Sequence, residues 1–456
     1  MDFVGWVEPK AKPIDTRGRS VNHARRYRIA SCTLAILGVT LVGCSSTRQV
    51  SNLATAGGST TVATTAGSLP RYAAGGPNAD EYGAASGYPV SGINRLRFYV
   101  GSFSHLDAVL EGRPIHRAGM PSPLRYAAAE PPLRYRHEGQ VRTLDDYLAR
   151  NPATALLIAR DDEILAERYQ YARNDRHRFN SASMAKTVTS MLIGIAIDEG
   201  RIRSIDDRAD AYVPALADTE YGRTSLRHLL QMSSGVRFEE NSAGAPDFRR
   251  LWLETVAQEG DGGVAAVRPF NQRHRAGGAV FSYASAETQV LGLVLASAVG
   301  RPVAHYLQEK IWQPMGAEAD ATWIVDAAGQ EATFCCLNAV LRDFARFALL
   351  LAHDGRRGNR QIIPKRWLLE ATTVADDRPD LRLVWPETRM GYGYQTWIFD
   401  RERRMFALIG AHGQAIYVDP ASHLVMVHTA VRRRIADPNT ETLALWEGVV
   451  NMLGTH

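Results

Sequence analysis

Lysine is scarce in this chain. Lys and Arg together number 53 in 456 residues, yet the only lysines are Lys10, Lys12, Lys186, Lys310 and Lys365. Arginine does nearly all the basic work, and arginine cannot serve as a neutral base at working pH. Cysteine is scarce too. The four present, Cys32, Cys44, Cys335 and Cys336, are too few for a disulfide scaffold. Cys335 and Cys336 are adjacent, and a bridge between neighbours needs strained local geometry, so a buried reduced pair is expected. No His or Cys stands at ligand spacing beside them, which leaves a metal or redox role without support. No block of Lys or Arg accompanies the net charge of +5, so nucleic acid is not an expected partner. Hydrophobic residues at 45% and charged residues at 22% give an ordinary globular balance. The length allows one large domain or two ordinary ones.

The N-terminus reads as a targeting segment. Arg25, Arg26 and Arg28 precede an uncharged stretch from Ile29 to Gly43 that is too short to span a bilayer comfortably. It closes on Leu41-Val42-Gly43-Cys44-Ser45, which resembles the lipobox of bacterial lipoproteins, where the Cys is lipidated and becomes the first residue. The plainer alternative is a secretory signal with a coincidental Cys. Met1 to Ser20 make a long, partly acidic stretch ahead of it, which a true start near Val21 would explain. By analogy with lipoprotein sorting, Ser45 after the Cys suggests the cell envelope on its periplasmic side, at the outer membrane.

Residues 1–44 are therefore expected to be a lipoprotein signal peptide. Residues 45–95, rich in Ser, Thr, Gly and Ala, are expected to be a flexible tether. Residues 96–456 have globular texture. Ala153 to Tyr171 looks like a hairpin turning at Asp161-Asp162. A helix starts near Ser183, with Val188, Met191, Leu192, Ile195 and Ala196 on one buried face and Gly200 at its C-terminal stop. Further helices are expected at Leu226–Met232, Ala286–Val299 and Asn338–Ala352, the last with Asn338 as N-cap and Gly355 as stop. Phe406–Ile409, Ala415–Val418 and Leu424–Thr429 read as strands. Strands at both ends with helices between suggest a sheet assembled from the two termini, beside a helical middle.

Ser183 and Lys186 form a Ser-x-x-Lys at the first turn of the expected helix. Residues three apart share a helix face, so the Lys amine can reach the Ser hydroxyl. A helix N-terminus also offers free N–H groups to developing negative charge. A serine needs a nearby base to become a nucleophile. Most Ser-x-x-Lys turns elsewhere are ordinary surface helix. Here the scarcity of lysine and the apolar surroundings of Lys186 favour function.

From this point the sequence resembles the serine β-lactamase-related family: class C β-lactamases, D-alanyl-D-alanine carboxypeptidases, small-ester hydrolases and 6-aminohexanoate-dimer hydrolases. The resemblance covers roughly residues 150 to 430. After Ser183-Met184-Ala185-Lys186 comes Thr224-Ser225-Leu226-Arg227-His228-Leu229-Leu230, running on to Ser233-Ser234-Gly235. Phe281-Ser282-Tyr283-Ala284-Ser285 is similar to the family's Tyr-x-Asn element, and Pro314-Met315-Gly316 to its downstream corner. The Ser-Met-Ala-Lys and Tyr-x-Ser forms lie nearest the 6-aminohexanoate-dimer branch. The third element, usually Lys-Thr-Gly or His-x-Gly on a strand, has a degenerate match in Gly410-Ala411-His412-Gly413-Gln414. Placing Gly410 on the motif's Gly makes Ala411 the second oxyanion amide, and this alignment is preferred. Placing His412-Gly413 there moves that role towards Gln414. Either way the family's cationic Lys is missing.

The resemblance implies an α/β (α+β) fold of β-lactamase/transpeptidase type, with an antiparallel sheet flanked by helices and a mainly helical subdomain. It implies an acyl-enzyme on Ser183, proton work shared by Lys186 and Tyr283, and an oxyanion site from the Ser183 and Ala411 amides. Ser285 is expected to hydrogen-bond Lys186 or the substrate amide. Which of Lys186 and Tyr283 is the base stays open. No metal or cofactor is called for, and the expected partner is a small amide or ester. The aromatics of Gly391 to Trp397 would line an acyl pocket or pack in the core, with the core slightly favoured. His228 and His305 read as structural, and Glu239 and Glu240 as a solvated loop. The rival functions are a true β-lactamase or D,D-peptidase, and a non-catalytic envelope sensor, which would usually lose Ser, Lys or Tyr.

Overall fold

The structure, a computed structural model, describes residues 70–83, 95–240, 244–385, 389–433 and 440–454. The leader with Cys44, and the tether as far as residue 69, lie outside these residues.

The centre is a nine-stranded sheet. Its strands are β1 (Arg71–Tyr72), β2 (Arg125–Tyr126), β3 (Ala153–Arg160), β4 (Glu163–Tyr169), β5 (Gly391–Tyr392), β6 (Trp397–Asp400), β7 (Met405–Gly410), β8 (Gln414–Asp419) and β9 (Leu424–Ala430). The order across the sheet is β1-β4-β3-β9-β8-β7-β6-β5, with β2 also on β4. The late strand β9 lies beside the early strand β3, Val427 opposite Leu157, so the sheet is closed by the two ends of the domain as expected. It is antiparallel from β4 to β5, but the short strands β1 and β2 join β4 in parallel. The sheet is thus mixed at one edge rather than wholly antiparallel.

β3 shows why the pattern reads as a continuous apolar run. Ala155, Leu157 and Ala159 face the large core, while Leu156 and Ile158 face a second, smaller one. Helix Leu341–Ala352 packs on the first face and helix Thr440–Leu453, through Trp446 and Val449, covers the second. With both faces buried, alternation is erased. Each buried Leu or Ile among them contributes about 1.5–3 kcal/mol by leaving water.

The helical middle joins helix Ala185–Asp198 to helix Ser285–Val299. The first is buried on all sides from Ala185 to Ala196, not along one face alone. Gly194 is what lets it sit so close: a Cβ there would lie 2.1 Å from the Trp367 indole. A second sheet of four short strands, in the order Gly112–Ile115, Ala321–Ile324, Leu337–Ala339 and Phe179–Asn180, carries the approach to Ser183.

Several expectations differ from this arrangement. Residues 70–83, assigned to the tether, belong to the domain: β1 pairs with β4, and Tyr82 is buried beside Tyr171 and Val431. Tyr72 stacks on Tyr169, so aromatic contacts hold a segment whose composition looked loose. Asn338 is not a helix cap. It lies in strand Leu337–Ala339, and the helix starts at Leu341 after Val340. Cys335 and Cys336 form a vicinal disulfide, with Cys336 in the left-handed region at φ 65°, where the expectation was a reduced pair.

Candidate active site

Strand Phe179–Asn180 delivers the chain to a tight turn, Ala182–Met184, that opens helix Ala185–Asp198. Ala182 has φ 42°, a left-handed conformation that costs a non-glycine residue about 1–3 kcal/mol. Neighbouring bonds hold it there. Asn180 Oδ1 accepts from the Ala182 N–H at 2.8 Å, and Ser181 exchanges bonds with Leu337, N–H to carbonyl at 2.8 Å and Leu337 N–H to Ser181 Oγ at 3.1 Å. The turn leaves Ser183 partly exposed in an otherwise buried segment.

Lys186, one turn on, is only 1% exposed. Its Nζ has three acceptors, each at 3.0 Å: Ser183 Oγ, Ser285 Oγ and the Phe334 carbonyl. It also lies 5.1 Å from the Tyr283 ring centre and 5.5 Å from that of Phe334. Burial penalises the charged ammonium and lowers its pKa to about 8, against a smaller upward pull from Glu240. Tyr283 moves the other way. Burial first, then the Glu240 charge, raise its pKa, and its hydrogen bond with Ser183 only partly offsets this. The phenol therefore keeps its proton. Ser183, Lys186, Tyr283 and Ser285 are brought together as expected from two stretches of chain about 100 residues apart.

Glu240 is the residue that sequence reasoning missed. Its carboxylate accepts from the Ser285 N–H at 2.6 Å and from Ser285 Oγ at 2.7 Å. It is not a solvated loop residue: it orients Ser285, whose remaining lone pairs face Lys186. No local pattern marks it, because its partner lies 45 residues away. Burial raises its pKa, while Lys186 and the Ser285 bonds oppose the rise.

The third element meets the nucleophile turn at Gly410, the last residue of β7. A Cβ on Gly410 would lie 2.8 Å from the Ser181 carbonyl and 2.9 Å from Ala182 Cβ, so only glycine allows this approach. Ala411 follows and is partly exposed. Gln414, by contrast, is paired with Gly410 across the hairpin, and its amide group bonds the Ala430 carbonyl at 2.6 Å. His412 is buried and turned aside. Its Nδ1 lies 2.7 Å from the Arg432 carbonyl, and its ring packs 4.8 Å from Tyr99 and 5.1 Å from Phe103. Gly413, at φ 93°, makes the turn, and its carbonyl meets His428 Nδ1 at 2.7 Å. His412 and Gly413 thus brace the hairpin.

One wall of the site is aromatic. Trp397 stacks beside Tyr283 at 5.8 Å and 27°, and both are partly exposed. Trp385 lies 5.2 Å from Trp397, and Phe281 5.0 Å from Tyr392. Tyr392 and Tyr394 are buried. The segment thus divides, its tyrosines packing inward and its tryptophan fronting the site.

Comparison with known proteins gives the family and the fold. The family described as Beta-lactamase matches residues 141–445. A 6-aminohexanoate-dimer hydrolase of Paenarthrobacter ureafaciens is 27% identical over 317 residues, covering 67% of this chain and 78% of that protein. A Bacillus anthracis structure assigned as a 6-aminohexanoate-dimer hydrolase superposes with a TM-score of 0.70 at 22% identity, covering 83% of this chain and 97% of its own. A penicillin-binding protein of Bacillus halodurans superposes with a TM-score of 0.51 at 16% identity, covering 66% of this chain and 97% of its own. The matched span and the shared fold make this chain a member of the beta-lactamase family of hydrolases.

Proposed function

We propose that the chain cleaves an amide or ester bond through an acyl-enzyme on Ser183. The observation that carries this reading is the buried Lys186 amine 3.0 Å from the partly exposed Ser183 hydroxyl. With a pKa near 8, a substantial fraction of the amine is neutral at slightly alkaline pH. Neutral Lys186 takes the Ser183 proton as Oγ bonds to the acyl carbon. The N–H groups of Ser183 and Ala411 stabilise the oxyanion, and losing one such donor typically costs about 10²–10³ in rate. Tyr283, still protonated, donates to the leaving nitrogen or oxygen and recovers a proton from Lys186. Water then attacks the acyl carbon, giving its proton back through the same groups, and Ser183 leaves as the free hydroxyl.

The substrate class follows from what faces Ser183. Leu408 stands where the family's Lys-Thr-Gly would place a lysine to hold a substrate carboxylate, and the Trp397–Tyr283 wall suits the methylene run of an extended acyl chain. That favours a linear amide, as in the name of the Paenarthrobacter relative, over a β-lactam or peptidoglycan stem. The same reading keeps the chain in the envelope on a lipid-modified Cys44, which metabolic labelling with palmitate in wild type and Cys44→Ala tests. Turnover is tested with linear 6-aminohexanoate oligomers beside a chromogenic cephalosporin and a D-Ala-D-Ala peptide. Turnover of the oligomer alone supports the linear-amide reading. Faster cephalosporin or D-Ala release refutes it in favour of a lactamase or D,D-peptidase.

A further inference from the structure

We propose that Asp161, His353 and His423 form a binding site for a divalent cation of the zinc type, at the end of the sheet remote from Ser183. The register of the sheet brings two of the three together. Leu424 lies opposite Arg160, so the next residues outward, His423 and Asp161, meet beyond the paired strands. Both sit in turns with left-handed backbone, φ 54° and 53°, where Asp and His are among the few non-glycine residues tolerated. His353 comes from a third element, the C-terminal end of helix Leu341–Ala352.

Their donor atoms converge. His353 Nε2 is 3.1 Å and His423 Nδ1 2.9 Å from the same carboxylate oxygen, Asp161 Oδ1. All three donor atoms lie within 4.8 Å of one another, and the imidazole rings are 3.9 Å apart. Zinc bonds of about 2.0–2.1 Å to nitrogen and oxygen require donors roughly 3.3 Å apart at tetrahedral corners, close to the 3.1 and 2.9 Å that separate the two imidazole nitrogens from Asp161 Oδ1. Two imidazoles and one carboxylate suit zinc and its first-row neighbours, whereas magnesium and calcium prefer oxygen alone.

The surroundings leave room for a cation. Arg357 is engaged by Asp162 at 2.7 Å, and Lys365 by Asp354 at 3.0 Å, with Arg404 on the same Asp354. The helix C-terminus adds partial negative charge. The side chains of Asp161, His353 and His423 are 57%, 30% and 42% exposed, so an ion there keeps contact with water. The six residues of β8 separate this end from the Gly410 turn, about 20 Å of strand, so the ion staples two turns and a helix end without touching the chemistry.

The test is zinc binding by the full chain, by equilibrium dialysis with metal analysis and by thermal melting, in wild type, His353→Gln and His423→Asn. Asn tolerates the left-handed backbone, so His423→Asn separates ligation from folding. One zinc ion retained by wild type and lost by both variants supports the site. So does a zinc-dependent rise in melting temperature in wild type alone, with ester hydrolysis unchanged in all three. Equal zinc retention in the variants, or no retained zinc in wild type, overturns it.

Discussion

Glu240→Gln is the perturbation whose consequence follows most closely from the geometry. The contacts of Ser285 Oγ, 3.0 Å to Lys186 Nζ and 2.7 Å to Glu240 Oε1, put the two charges no more than about 6 Å apart. At that distance, effective dielectric constants between 20 and 80 give about 0.7–3 kcal/mol of attraction, the lower figures reflecting the partial exposure of Glu240. Burial, the larger effect, lowers the pKa of Lys186 to about 8, and the attraction opposes it by favouring the ammonium. Glutamine keeps the shape and removes the charge. The pKa of Lys186 then falls by about 0.5–2 pH units. In the proposed mechanism the neutral amine is the active form, so kcat/KM of the wild type is expected to rise with pH through about 8. In Glu240→Gln the rise moves to lower pH by the same amount. The assay is the pH dependence of kcat/KM on a neutral ester whose own ionisation does not change over the range. An unmoved limb, or one displaced to higher pH, refutes the coupling of Glu240 to the lysine.

Lys186→Met keeps the buried length of the side chain and removes the proposed base. Hydrolysis falls by about 10³-fold or more, while the melting temperature changes by only a few degrees, because relief of a desolvated ammonium offsets the unpaired Phe334 carbonyl. Gly410→Ala drives a Cβ towards the Ser181 carbonyl and pushes the strand end off the nucleophile turn; kcat falls about 10²-fold with little change in KM. Trp397→Ala removes one wall of the site and raises KM for neutral, extended acyl groups more than it lowers kcat; an unchanged KM refutes the wall's role. Gly194→Ala overpacks the helix against Trp367 and costs about 1–3 kcal/mol, read as a lower melting temperature at unchanged KM.

The parts legible in the sequence were those encoded locally. Ser183 and Lys186 lie one helical turn apart, and the strand residues of β3 and β9 announce themselves by apolar runs. Tyr283 and Ser285 were reachable because a family pattern surrounds them. What escaped depends on contacts between distant residues. Glu240 meets Ser285 across a loop, and the Phe334 carbonyl, a backbone group, has no sequence signature at all. His412 looked like a motif residue, yet its ring is turned towards Tyr99 and Phe103, residues more than 300 positions earlier. Residues 70–83 join the domain for the same reason: β1 is held by pairing to β4 and by Tyr72 on Tyr169, neither visible in a Ser/Gly-rich composition.

Everything proposed for the chemistry turns on the reactivity of Ser183. Intact-mass labelling of the full chain with a fluorophosphonate, beside Ser183→Ala, reads that reactivity without knowledge of the substrate. A single adduct in wild type that is absent from a folded Ser183→Ala is the predicted result. An adduct that survives in the variant, or a folded wild type that takes up no label, contradicts the assignment of Ser183 as nucleophile.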